Sequence, residues 1–274
     1  MQERQHDPGL TPDERETVAE RAAPRAPVIH EMVRLQGEEE LARPASSLLW
    51  SGFAGGIAIM ASVIGEGALH HKLPADAAWR EVVTDLGYSL GFLIVVLGRL
   101  QLFTEQTIVT ILPVMAERSR RSVARTARLW TIVFLANMAG AAVAAALNRH
   151  AGLVNPALLH AMLEVSAGLL DRSPLDTMLQ AVPAGFLVAS IAWLRAGTQG
   201  GEFWVVLALT YAIALGDFAH VVAGAAEAFL LAFDGRIGLD VAVGGIILPA
   251  LLGNIIGGTG LFALLAHAQV RAEL

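Results

Sequence analysis

His220 and Thr104 are the residues in this chain best placed to do chemistry. His220 is the only histidine deep in an apolar stretch, within Gly216-Asp217-Phe218-Ala219-His220-Val221-Val222. An imidazole titrates near neutrality, so at that depth it can donate a hydrogen bond to a small anion or hand it a proton. A weak acid made neutral crosses an apolar constriction far more cheaply than its anion. The plainer alternative is a histidine hydrogen-bonded for structure alone. Arg99, Glu105, Asp217 and Glu227 are further ionisable residues in the same stretches, and each is costly in hydrocarbon unless paired or wetted. Arg99 with Asp217 or Glu105 reads most simply as a buried ion pair, and otherwise as an attractor for anions. Glu227 can join that pair or bind amides of a loop.

These residues lie on a repeat. Phe134-Leu-Ala-Asn137-Met-Ala-Gly140-Ala stands 117 positions ahead of Leu251-Leu-Gly-Asn254-Ile-Ile-Gly257-Gly, and the same shift lays Phe103-Thr104-Glu105 over His220-Val221-Val222, placing Thr104 beside His220. Asn137 and Asn254 each neighbour a glycine-lined helix contact, so they are expected to brace backbone rather than touch a solute. Gly52 with Gly56, Gly87 with Gly91, and Gly253 with Gly257 are small-xxx-small pairs that close helix packing explains.

The elements that must carry these side chains are membrane helices. With 55% hydrophobic residues, 16% charged and a mean hydropathy of +0.56, the chain is too apolar for a soluble domain. Apolar stretches of spanning length lie near 48–65, 86–116, 130–147, 178–194, 203–233 and 241–267, and no strand is expected. The result is an all-α membrane protein of six transmembrane helices in two three-helix copies. A unit with an odd number of spans re-enters the bilayer inverted when repeated, so the copies are related by an axis in the membrane plane, with a path between them at the midplane. The second and fifth stretches are too long: 31 residues at 1.5 Å each exceed a hydrocarbon core of about 30 Å. Both hold their polar residues centrally, so each is expected to be a broken helix, interrupted near 101–106 and 216–224. Irregular backbone at membrane depth must face the interior of the fold.

Arg118, Arg120, Arg121, Arg125 and Arg128 crowd the loop between the second and third spans, which the positive-inside rule makes cytoplasmic, together with both termini. Trp50, Trp130, Trp193 and Trp204 then fall at the cytoplasmic interface. Residues 1–45 form a charged cytoplasmic tail ahead of a membrane domain over 46–274. Its opening lacks the organisation of a signal peptide. Thr11-Pro12-Asp13-Glu14 reads as a capping box. A second tail helix near 28–42 has Ile29, Met32, Val33 and Leu41 on one side and Glu38, Glu39 and Glu40 exposed; it serves as a solvated cap over the cytoplasmic mouth or as a docking or gating element. Cysteine is absent, and His70-His71 falls in an outer surface loop, so no metal site or cofactor is expected. Hydrolase and phosphate-loop motifs are missing, which argues against an enzyme. The arginines are explained by topology rather than by nucleic acid.

Leu102-Phe103-Thr104, the stretch Phe218-Ala219-His220-Val221-Val222-Ala223, and Pro249-Ala-Leu-Leu-Gly253-Asn254-Ile255-Ile256-Gly257-Gly258 resemble the formate/nitrite transporter family over about 46–267. The resemblance implies an aquaporin-like fold in a homopentamer of the bacterial inner membrane, one pore per protomer, passing small monovalent anions such as formate or nitrite, or their neutral acids with a proton. It implies that Thr104 and His220 face each other in the pore between hydrophobic constrictions, here bounded by Leu102 and Phe103. The chain departs from the family pattern at Gln101, Gly185, Ala219 and Gly224, where an acid, an Asn, a Glu and an Asn are usual. Those departures keep open a non-conducting relative that senses through its tail, and a pore for small neutral solutes.

Overall fold

The computed structural model describes residues 9–198 and 200–273, which are all-helical with no strand among them. Residues 1–8, the opening read for a signal peptide, lie outside the described residues. α1 (Pro12–Arg21) begins with the capping box as expected: Thr11 accepts from the Glu14 amide and Glu14 reaches back to the Thr11 amide. α2 (Ala26–Ala42) follows. Its buried stripe is His30, Val33, Gly37 and Leu41, whereas Met32 is 47% exposed, which corrects the side expected from apolar residues alone. α2 is not a solvated element, because it packs on helices of both halves of the bundle. Gly37 permits the approach, since a Cβ there would strike the Val109 carbonyl. His30 Nε2 meets His267 Nδ1 at 3.2 Å, and burial, then the adjacent His267 ring, holds His30 below the ordinary imidazole range.

α3 (Ala45–Lys72) is followed by the single turn α4 (Arg80–Thr84) and by an interrupted segment of α5 (Ser89–Leu97), α6 (Phe103–Val109) and α7 (Ile111–Glu117). α8 (Arg120–His150) closes the first half. α9 (Pro156–Ala167), capped by Asn155 with Pro at its start, bridges to α10 (Pro174–Gly197), then to the interrupted pair α11 (Glu202–Leu215) and α12 (Val221–Phe233), and to α13 (Val241–Val270). α3, α8, α10 and α13 are long and apolar enough to cross a membrane. α13 contains two π-helical stretches, Val241–Ile247 and Ile256–Ala263; such wide turns shift helical register and recur at functional sites.

The interruptions fall at 98–102 and 216–220, shorter than expected from the spread of polar residues and, in the first case, earlier. Arg99 and Asp217 have φ of 53°, each just after a glycine, so both loops turn through the left-handed region at an equivalent place. The Arg-rich segment is also more regular than a loop. Ser119 caps α8 through the Ser122 amide, and Arg120, Arg121, Arg125 and Arg128 lie on its first turns. His70 and His71 occupy the last turn of α3, with His70 Nε2 3.6 Å from Glu164. Trp50 and Trp204 face outward, while Trp130 turns in to donate to Thr110 Oγ1 at 2.9 Å.

Each half is drawn together at glycines. Gly56 on α3 lies against the Asn137 carbonyl and Gly257 on α13 against the Val182 carbonyl, and a Cβ at either would collide with that backbone. The buried core wraps both interruptions, with Phe92, Leu102, Val221 and Val222 all inaccessible to solvent.

Candidate functional site

The two interruptions are held by the same device. The Asn137 carboxamide oxygen accepts from the Phe103 amide at 2.9 Å, and its nitrogen donates to the Gln101 carbonyl at 2.9 Å and the Gly52 carbonyl at 2.7 Å. In the other half, Asn254 accepts from the Val221 amide at 2.8 Å and donates to the Ala219 carbonyl at 3.0 Å and the Ala181 carbonyl at 2.8 Å. The first amide of a helix has no partner within it. Each asparagine supplies one, which is why α6 starts at Phe103 and α12 at Val221 and why the interruptions end there. Both asparagines are fully buried. The bracing makes Phe103 equivalent to Val221, a separation of 118 rather than 117, so Leu102, not Phe103, is the counterpart of His220.

His220 and Thr104 meet. Thr104 Oγ1 and His220 Nε2 are 2.7 Å apart, with Thr104 wholly buried and His220 2% exposed. His220 is also the N-cap of α12, and its Nδ1 accepts from the Ala223 amide at 3.2 Å. An Nδ1 that accepts carries no proton, so the ring hydrogen sits on Nε2 and points to Thr104. A second ring proton, on Nδ1, would forfeit the cap bond. Leu102, two residues before Thr104, is fully buried. Phe103 instead sets its ring edge-on to Trp130 and Phe134 of α8, at 5.5 and 5.3 Å. The ring against His220 is Phe92 of α5, at 4.9 Å. Sequence reasoning missed Phe92, because it is an ordinary apolar residue in an apolar helix.

The expected ion pair of Arg99 does not form. Arg99 is exposed and makes no ion pair among the described residues; it borders a groove between α2 and the start of α11. Glu105 is buried and bonded instead to Arg195 of α10 at 3.0 Å. Asp217 is exposed and bonded to Arg172 at 3.3 Å. Arg99 turns through the left-handed region and stays exposed, while Glu105 is reached by Arg195 in the last turn of α10 and Asp217 by Arg172 just ahead of its start. No spacing rule along the chain shows that reach. Glu227 likewise has no contact with Arg99 and borders a cavity that His220 also lines.

Gln101 links the first interruption to the tail. Its Nε2 donates to Glu40 of α2 at 2.9 Å, and its Oε1 accepts from Gln106 at 2.9 Å. Glu40 was expected to be exposed; its side chain is only 17% exposed and also holds Arg43 at 3.0 Å.

The formate/nitrite transporter family model matches residues 27–268. The chain belongs to this family. The match takes in α2 as well as the membrane helices. The chain is 35% identical over 93% of its length to inner membrane protein YfdC of Escherichia coli (strain K12), covering 82% of that protein. It is 30% identical over 81% of its length to the uncharacterised transporter YrhG of Bacillus subtilis (strain 168), covering 84% of it. In fold it is similar to a pentameric formate channel with formate bound, with a TM-score of 0.69 at 17% identity, covering 83% of this chain and 98% of that one. It is also similar to an FNT family ion channel, with a TM-score of 0.70 at 20% identity over 89% of this chain and 96% of that one.

Two of the departures from the family pattern have physical consequences here. Gly185 lies against the Asn254 backbone so closely that a Cβ would strike its carbonyl; a side chain there would push the brace off Val221. Gly224 has open space where a Cβ would be and lines the cavity beside His220.

Proposed function

We propose that the protein is a channel or proton-coupled carrier for small monovalent anions of weak acids, formate and nitrite among them, acting as a homopentamer in the bacterial inner membrane with one pathway per protomer. The observation that carries this is the 2.7 Å contact between Thr104 and His220 where the two interrupted segments meet. The matched braces at Asn137 and Asn254 support two inverted three-span copies with the path between them. Thr104 and His220 are then the polar point on an otherwise apolar crossing, flanked by Leu102 and Phe92. An acid's oxygen that displaces the Thr104 hydroxyl accepts the Nε2 hydrogen, while the Nδ1 cap keeps the ring in place. The pathway is no enzyme and takes no cofactor; it offers one hydrogen-bonding station at an apolar constriction, which suits a neutral acid better than its anion.

The Arg-rich start of α8 supports a cytoplasmic position for that end of the bundle and for both termini. Residues 1–45 are then a cytoplasmic tail, with α2 seated over the inner end of the pathway. That seat favours the second reading, a relative whose tail holds the path shut or senses through it, because Glu40 bonds directly to Gln101 at the first interruption. Proteoliposomes separate the two readings. A conducting protein takes up formate and nitrite and excludes sulfate; uptake of neither, with the oligomer intact, moves the assignment to the non-conducting relative.

A further inference from the structure

A cavity of about 160 Å³ lies on the side of Thr104 and His220 away from α2, and carboxyl groups dominate its polar wall. Glu66 of α3 and Glu227 of α12 face it from opposite halves of the chain, and Asp85, from the turn ahead of α5, borders it with Tyr88. Glu66 is 6% exposed, and its Oε2 has no hydrogen-bond partner. The cation on this wall is Arg172, whose guanidinium is already engaged by the exposed carboxylate of Asp217 at 3.3 Å.

This arrangement conflicts with a simple anion path. A wall of ionised carboxylates repels an arriving anion, and a buried carboxylate oxygen without a donor is unfavourable. His220 does not resolve the conflict as a proton source. Its single ring hydrogen sits on Nε2, and the second one needed to make it an acid would displace the Ala223 amide from Nδ1. We propose that Glu66 and Glu227 hold one transferable proton between them and that this pair, not His220, protonates the weak-acid anion before it reaches Thr104. The inference rests on the weak-acid reading above.

The step balances. The carboxyl O–H of the pair breaks as an O–H forms on the formate or nitrite oxygen, and the negative charge passes to the pair. The neutral acid moves to His220, which orients it with Nε2–H, and a proton from the outer water reloads the carboxylates. Gly224, which leaves open space on the same wall, gives the acid room beside Glu227.

The test uses Glu66→Gln, Glu227→Gln and the double variant, in which Gln keeps size and shape. Formate uptake and proton entry into proteoliposomes are followed together across outside pH. The wild type carries a proton with each formate. In the double variant, uptake falls about tenfold or more, as for a lost positioned proton donor, and loses its dependence on outside pH. An unchanged rate and pH profile in the double variant overturns the proposal. Infrared difference spectra give a reading independent of transport: a protonated-carboxyl C=O band in the wild type at neutral pH that disappears in each single variant. Absence of that band in the wild type also overturns the proposal, whether or not formate moves, while absence of formate and nitrite flux with the band present counts against the weak-acid reading alone.

Discussion

Asn137 on α8 and Asn254 on α13 make the same three hydrogen bonds to corresponding places in the two halves of the chain. Each carboxamide fills the first amide of a half-helix, ties down the carbonyl two residues earlier, and anchors both to a neighbouring helix. The interruptions are thereby fixed pieces of structure.

Replacing either asparagine by alanine leaves one buried amide and one buried carbonyl of the interruption unpaired, at about 1–3 kcal/mol per group, while the Gly52 and Ala181 carbonyls keep their intrahelical partners. Asn137→Ala and Asn254→Ala should therefore lower the apparent Tm in detergent by comparable, large amounts. A Tm unchanged in both would show that the braces are not what holds the interruptions.

Glu105 and Arg195 form a pair with side chains 11% and 14% exposed. Breaking it from one side strands a buried charge, at about 3–5 kcal/mol. Arg195→Met alone should be strongly destabilising, and Arg195→Met with Glu105→Leu should recover much of the loss. Additive losses in the double-mutant cycle would mean that the pair is not coupled. Arg99→Ala, by contrast, should leave stability nearly unchanged, because Arg99 is exposed.

Much of this arrangement was legible in the sequence. Polar residues in the middle of stretches too long to cross straight gave away the broken helices, and the Asn-x-x-Gly echo located the braces. The partner of Glu105 was not legible, because Arg195 lies 90 positions away on another helix. Arg99 shows that depth along a stretch is not depth in the fold, since it lies mid-stretch yet is exposed at a left-handed turn. Phe92 and Glu66 show the same limit. Nothing in their local sequence says that one abuts His220 and the other faces a cavity, since both facts arise from packing between helices.

The seat of α2 should depend on pH. Burial and the His267 ring hold His30 below the ordinary imidazole range, with Glu31 pulling the other way and Arg34 adding to the depression. A released α2 would regain an ordinary histidine near 6.5, so it binds more protons than the docked one. Docking is then fully favoured above that value and is lost progressively as pH falls below it. The chain has no cysteine, so Val33→Cys, at a buried position of α2, gives a single label site. Maleimide labelling should be slow at about pH 7.5 and faster at about pH 5.5, the range in which histidine titrates, and His30→Gln should flatten the difference. Equal labelling at both values would show that the seat does not respond to this histidine.

On the proposed function, weak acids pass between Thr104 and His220, with the imidazole as an oriented donor. Uptake of formate by proteoliposomes of wild type and His220→Asn, compared across about pH 5 to 8 where histidine titrates, tests it most directly. Asparagine can still cap α12 through its side-chain oxygen but carries no titratable proton. The expected result is formate uptake by the wild type, a lower rate in His220→Asn, and the same pH profile in both. An unaltered rate in the variant, or a pH dependence that vanishes with the imidazole, would contradict it.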